Sequence, residues 1–139
     1  MSVSPTVQER LSIVVAEDDE RLAALVVELL DDDGRFVVVG HAVDGDEAVR
    51  LVEEHAPDLV LMDIGLPGRD GLAATRAIHD RDADRHVVIY TGSTEYADVA
   101  RSEEAGAVGF LHKDALASPD LPDALHVLHT NYLNRLPDE

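Results

Sequence analysis

An α/β fold, with a parallel sheet covered by helices on both faces, follows from two features of the sequence. Five short β-rich runs alternate with five stretches of helical period, and strands separated by helices run in the same direction when they pair. The 139 residues are the size of one domain, and a hydrophobic content of 45% is enough for a core. Aromatics make up only 4%, so that core must be mostly Val, Leu, Ile and Ala.

The first strand is read at Leu11 to Ala16. Leu22, Leu25, Val26, Leu29 and Leu30 then recur at helical spacing, Asp19 is the N-cap candidate and Gly34 closes the helix. Phe36 to Val39 is the second strand. Asp46 to His55 is helical, with Ala48, Leu51, Val52 and His55 on one face, and Pro57 ends it. Leu59 to Met62 is the third strand. After the Pro67-Gly68 turn, Asp70 is placed to cap a helix running through Asp80. Val87 to Tyr90 and Val108 to His112 are the fourth and fifth strands, with a weakly amphipathic helix carrying Tyr96, Val99 and Ala100 between them. The last helix begins near Pro119 to Pro122, where a first turn tolerates proline, and presents Leu121, Leu125, Leu128 and Tyr132 on one stripe. The residues from Leu136 on read as tail. There is no internal repeat and no interdomain linker.

Composition narrows the function. No cysteine is present, which excludes disulfides and thiolate metal sites and suits a reducing cytosol. Apolar runs such as Ile13 to Ala16 are far too short to span a membrane, and residues 1–10 lack the layout of a signal peptide. The expected location is therefore cytoplasmic. A formal charge of −18 argues against direct binding to DNA or anionic membranes, because phosphate contacts need clustered Arg and Lys. Much of that acid, including Asp31-Asp32-Asp33, is solubilising surface. The basic side is more telling: of eleven basic residues, Lys113 is the only lysine.

In open α/β sheets ligands sit at the carboxyl ends of the strands. The first strand ends in Glu17-Asp18-Asp19, the third in Asp63, the fourth in Thr91-Gly92-Ser93 and the fifth in Lys113. Each has a plain reading alone: a helix cap, a turn hydroxyl, a solvated lysine. Together they put an acid pair, a single acid, a hydroxyl and the sole amine on one edge of one sheet. Glu17, Asp18 and Asp63 in proximity repel, so at least one should have a raised pKa. A hard divalent cation relieves that repulsion, and a small all-oxygen ligand set with room for water suits Mg²⁺ better than Ca²⁺ or Zn²⁺. With a lysine and a hydroxyl added, the set matches the needs of a phosphoryl group, with Asp63 as the carboxylate nucleophile.

These residues resemble the response-regulator receiver domain of two-component signalling. The resemblance rests on Asp63-Ile64-Gly65-Leu66-Pro67-Gly68-Arg69-Asp70-Gly71, on Val14 to Asp19, on Thr91 after Val-Val-Ile-Tyr, and on Lys113 after Gly-Phe-Leu-His. It covers roughly Leu11 to Asn131. It implies a flavodoxin-like, doubly wound (βα)5 fold with strand order 2-1-3-4-5, and a receiver domain over 11–133 with short polar tails at 1–10 and 134–139. No output domain is expected in this chain.

The same resemblance implies roles. Asp63 takes phosphate from a histidine kinase or a small acyl-phosphate donor. Mg²⁺, or Mn²⁺ in its place, is held by Asp18, Asp63, the Gly65 backbone carbonyl and, through water, Glu17. Thr91 and Lys113 grip the phosphoryl oxygens, and Thr91 with Phe110 forms the switch to an output face of the fourth helix, fifth strand and fifth helix, where a homodimer can form. Asp114 after Lys113, with Gly-Phe-Leu before it, resembles the NarL-type branch, whose members usually carry a helix-turn-helix output. The chain is thus expected to be the receiver part of a NarL-type transcriptional regulator, or a stand-alone receiver acting by protein contacts or phosphorelay. Gly65 leaves Asp63 open to water, which favours rapid self-dephosphorylation.

The rival from another class is a phosphatase of the haloacid-dehalogenase type, but the second Asp it needs two residues after the nucleophile is here Gly65. A flavodoxin-like FMN carrier is disfavoured by the acidic pocket and by the lack of a hydroxyl-rich loop after the first strand. His126 and His129 lie one helical turn apart and are read as helix surface rather than a metal pair. His112 is expected to point away from Lys113.

Overall fold

The computed structural model describes residues 10–92 and 96–135. Ser93 and the segments 1–9 and 136–139 lie outside the described residues, as do the side chains of Tyr96 and Tyr132. Five strands, β1 (Leu11–Ala16), β2 (Phe36–Ala42), β3 (Leu59–Asp63), β4 (His86–Thr91) and β5 (Gly109–His112), form one sheet of order β2-β1-β3-β4-β5, every pair parallel. Five helices separate and follow them: α1 (Glu20–Asp32), α2 (Gly45–His55), α3 (Gly71–Arg81), α4 (Tyr96–Glu104) and α5 (Leu121–Arg135). The expected fold class and strand order hold.

Strand alternation sorts the core into two layers. Val14, Ala16, Val60, Met62, Val87 and Ile89 face one way and pack with Ala48 and Val52 of α2 and Ala74 and Ile78 of α3. Ile13, Val15, Leu59, Leu61, Val88 and Tyr90 face the other way, against Val26 and Leu30 of α1 and Leu121 and Leu125 of α5. The central strands β1 and β3 are therefore apolar on both faces, as a parallel sheet with helices on each side requires.

Local signals account for most helix starts. Asp19 accepts from the N–H groups of Arg21 (3.0 Å) and Leu22 (3.3 Å), and Asp70 from that of Ala73 (2.8 Å). Asp44 caps α2 through the Glu47 N–H at 2.8 Å, while the Glu47 carboxylate reaches back to the N–H of Val43, one residue before the cap, at 3.0 Å.

Several boundaries differ from the sequence expectation. β2 continues past Val39 to Ala42, because Gly40, His41 and Ala42 find partners in Val14, Val15 and Ala16 of β1 after a register shift. α1 ends on Asp33 in extended conformation, not at Gly34. α2 is closed by Ala56, whose φ of 45° puts it in the left-handed region and whose N–H bonds Val52 O at 2.8 Å; Pro57 only follows. A short 3-10 turn, Lys113–Ala117, follows β5 and buries Leu116 completely against the α1 and α5 layer.

Candidate functional site

Register alone brings the strand ends together. Ala16 pairs with Met62 and Asp63 with Tyr90, so Glu17 leaves β1 beside Asp63 and Thr91 closes β4 one residue beyond it. Thr91 pairs with His112, and Lys113 follows at once. With strands about 4.8 Å apart, the four predicted strand-end groups lie along one edge.

Glu17, Asp18 and Asp63 form the cluster. Each offers a carboxylate oxygen, and these oxygens all lie within 4.8 Å of one another. Among the described residues this is the only group of three or more His, Cys, Asp or Glu side chains with such spacing. Asp18 is exposed, Asp63 is 7% exposed and Glu17 is fully buried. The donor set is all oxygen with one open side toward Asp18, which fits a small hard cation that keeps part of its water. The Gly65 carbonyl belongs to the exposed loop after Asp63, and that loop is tied back by the Gly65 N–H donating to Asp63 Oδ1 at 2.9 Å.

A buried carboxylate needs donors, and Glu17 has two. Tyr90 Oη donates to Glu17 Oε1 at 2.8 Å, with Ala16 O also near at 3.1 Å, and the Asp19 N–H donates to Oε2 at 2.9 Å. Burial raises the pKa of Glu17 above the ordinary carboxylate range. Those two donors oppose the rise, the Asp63 charge adds to it and the Lys113 ammonium lowers it. The expectation of one raised acid is met, although burial rather than crowding is the main cause. Tyr90 is itself buried, and burial with the Glu17 charge beside it pushes its phenol far above the ordinary value, so it stays a donor.

Three contributors escaped the sequence reading. Tyr90 passed for the end of an apolar run. His41, on the extension of β2, donates Nε2–H to Glu17 O at 2.8 Å and so braces the acidic turn. Gly71 is the third: a Cβ there would lie 2.1 Å from Asp63 O, so only glycine lets α3 start directly beneath the strand end, where its N–H bonds Ile64 O at 3.1 Å. The motif contained Gly71, but its contact is visible only in three dimensions.

The remaining residues take these places. Thr91 is buried, and Lys113 is half-buried at the start of the 3-10 turn, close enough for its charge to act on Glu17. His112 is more than a bystander: its Nε2 contacts Gly92 O at 3.1 Å and its Nδ1 accepts the Asp114 N–H at 3.2 Å, which ties the ends of β4 and β5 together at Lys113. Phe110 pairs with Ile89, packs partly buried on the α2 and α3 layer, and lines a cleft of about 60 Å³ with Ser102, Glu103 and Ala107. His129 departs from the surface reading. It meets His86 of β4, Nδ1 to Nδ1 at 2.7 Å with the rings edge-on, at the opposite edge of the sheet.

Comparison with known proteins bears on this geometry. The model of the response regulator receiver domain matches residues 13–126. The chemotaxis protein CheY of Halobacterium salinarum is 34% identical over 113 residues, 81% of this chain and 92% of that protein. The nitrate/nitrite response regulator protein NarL of Escherichia coli is 32% identical over 86% of this chain, and the transcriptional regulatory protein PdtaR of Mycobacterium tuberculosis 36% identical over 79%. The chain spans only about half of each of these regulators, 55% and 53%. Among solved structures, the signal receiver domain of a response regulator named NarL from Mycobacterium tuberculosis superposes with a TM-score of 0.82 at 31% identity, covering 88% of this chain and 98% of that one. A LuxR-family two-component response regulator from Aurantimonas gives 0.81 at 31% identity, covering 88% and 86%. The match spans most of the chain and includes every strand end of the acidic edge, and the chain belongs to the response regulator receiver domain family, as a phosphoacceptor and not an enzyme in the usual sense.

Proposed function

We propose that Asp63 accepts a phosphoryl group from a histidine kinase and that the change is passed to the face of α4, β5 and α5. Receiver domains bind Mg²⁺ and are phosphorylated by histidine kinases; the assignment of residues here is our reading. The observation that carries it is the convergence of three carboxylates within 4.8 Å of one another, two of them buried, with the chain's only lysine acting on the same pocket.

Asp18, Asp63 and the Gly65 carbonyl would hold Mg²⁺, or Mn²⁺, with Glu17 reaching it through water. When bound, the cation neutralises charge on the incoming phosphoryl group and on the acids. The chain's own residues do the rest. Asp63 Oδ1 is held by the Gly65 N–H at 2.9 Å, which leaves Oδ2 to attack phosphorus as the bond to the donor imidazole breaks and the ring nitrogen takes up a proton. Lys113 and Thr91 supply positive charge and a hydroxyl donor to the equatorial oxygens. Thr91, drawn to the phosphate, leaves space on its side of β4, and Phe110 turns inward to take it.

The output reading is that of the receiver part of a NarL-type transcriptional regulator acting in the cytoplasm. It is supported by the NarL and LuxR-family relatives and by Lys113-Asp114. A stand-alone receiver, working by protein contacts or phosphorelay, is the second reading, favoured by the match to 92% of the CheY length. The charge of −18 argues against direct nucleic-acid contact by this chain. Among the described residues no helix is long and apolar enough to cross a membrane. The test is incubation with acetyl phosphate and Mg²⁺: the protein should gain one phosphate by mass and Asp63→Asn none. Equal gain in both, or none in either under forcing conditions, refutes Asp63 as the acceptor.

A further inference from the structure

Tyr90 stands outside the ligand set and yet holds one of its members. It is 1% exposed, on the α1 and α5 side of β4, and its hydroxyl donates to Glu17 Oε1 at 2.8 Å. Glu17 is 0% exposed and has its other oxygen on the Asp19 N–H at 2.9 Å. Both oxygens of this carboxylate are thus fixed by donors of the chain itself, one from its own turn and one from a strand that is not its neighbour in the sheet.

We infer that Tyr90 is a positioning residue for the metal pocket: its hydroxyl holds the Glu17 carboxylate turned inward, so that Glu17 acts on the cation through water while Asp18 and Asp63 ligate it directly. This rests on the proposed reading of the pocket and deepens it. The physical ground is that a carboxylate on a flexible side chain orients a metal-bound water only if its own rotamer is fixed, and that outer partners of a metal site carry part of its affinity. Of the two donors, the Asp19 N–H alone leaves the group free to pivot about Oε2. The phenol, fixed by close packing in a fully buried site, removes that freedom. Phenylalanine at position 90 fills the same space and lacks only the donor.

The test is Mg²⁺ binding to the unphosphorylated protein, by calorimetry and by amide NMR of the Asp63 to Gly65 segment. Tyr90→Phe should weaken Mg²⁺ by about ten-fold, the low end for loss of an outer partner. If the effect runs through Glu17, the same change in a Glu17→Gln background should add less than about two-fold, the margin for uncoupled sites. An unchanged affinity in Tyr90→Phe overturns the inference, and so does a loss of equal size in both backgrounds, which would mark general damage. Asp63→Asn separates this from failure of the pocket reading: if it binds Mg²⁺ as well as the parent does, the metal site itself is wrong and the role of Tyr90 falls with it. A readout in the unaltered protein guards against a variant that does not fold. The Tyr90 ring carbon bearing the hydroxyl should shift on Mg²⁺ addition, and a resonance that stays fixed at saturation overturns the inference.

Discussion

Asp63→Asn should make the metal-free protein more stable, and the structure sets the size of the gain. One carboxylate oxygen from each of Glu17, Asp18 and Asp63 lies within 4.8 Å of the other two. Two unit charges at that distance repel by about 3.5 kcal/mol at an effective dielectric of about 20, and by about 0.9 kcal/mol in bulk water. Asp63 and Glu17 are both buried and weight the answer toward the first figure. Asp18 is exposed and Lys113 offsets part of the field, which weight it toward the second. Asparagine keeps the oxygen that accepts from Gly65, so no hydrogen bond is lost. The net gain is therefore about 1–3 kcal/mol, or about 3–10 °C in Tm for a domain of this size. Thermal melts with EDTA measure it directly. Adding Mg²⁺ should then raise the Tm of the parent and narrow the gap, because a cation that binds the native state stabilises it by mass action. An Asp63→Asn protein that melts at or below the parent temperature in EDTA would show that the three acids are not the mutually repelling cluster described.

Two further predictions concern the scaffold. The His86–His129 pair makes stability pH-dependent: burial lowers both pKa values below the ordinary 6.5 in the folded protein, whereas the unfolded chain regains the ordinary value. The unfolded state then binds more protons as pH falls, so this contribution is intact above about pH 6.5 and is lost as pH falls toward the folded pKa values, by about 1.4 kcal/mol per unit of depression. The urea midpoint should drop between about pH 7.5 and 5.5, more steeply in the parent than in His86→Gln; equal slopes would refute the pair as the source. Gly71→Ala drives a Cβ to 2.1 Å from Asp63 O, an overpacking that costs about 1–3 kcal/mol and moves the strand end. It should lower both the Tm and the acetyl-phosphate labelling rate, and a variant equal to the parent in both would show that α3 can retreat freely.

What was legible in the sequence was what short-range physics determines. Asp19 and Asp70 could be read as caps because a cap's partner lies two or three residues away. The strand-end acids, hydroxyl and lysine could be read because each follows its own apolar run, and a parallel sheet brings such ends together without further information. The reading failed where the partner is distant. Gly40 and His41 are poor strand formers locally, and only pairing with β1 extends β2 through them. The acceptor of the Tyr90 hydroxyl is Glu17, 73 positions away. His129 looked like the neighbour of His126 because the two share a helix, whereas its ring partner is His86, 43 positions away.

The end of β4 shows how one pocket can address both faces of the sheet. Alternation sends Ile89 toward the layer of α2 and α3, where Phe110 lies beside it, and sends Tyr90 toward the layer of α1 and α5. Thr91, on the Ile89 side by the same alternation, is the group proposed to follow the phosphoryl oxygens. Tyr90, bonded to Glu17, is the group inferred to follow the cation. Metal loading and phosphorylation would then pull on adjacent residues whose side chains enter opposite cores. The two events become separable: Tyr90→Phe should alter the response to Mg²⁺ while leaving the path through Thr91 and Phe110 in place, and Phe110→Ala should do the reverse. Amide shifts in α5 and β5, recorded with Mg²⁺ alone and then with acetyl phosphate, distinguish the paths. If both variants dampen both responses equally, β4 acts as a single rigid lever, and the alternation of its side chains carries no division of signal.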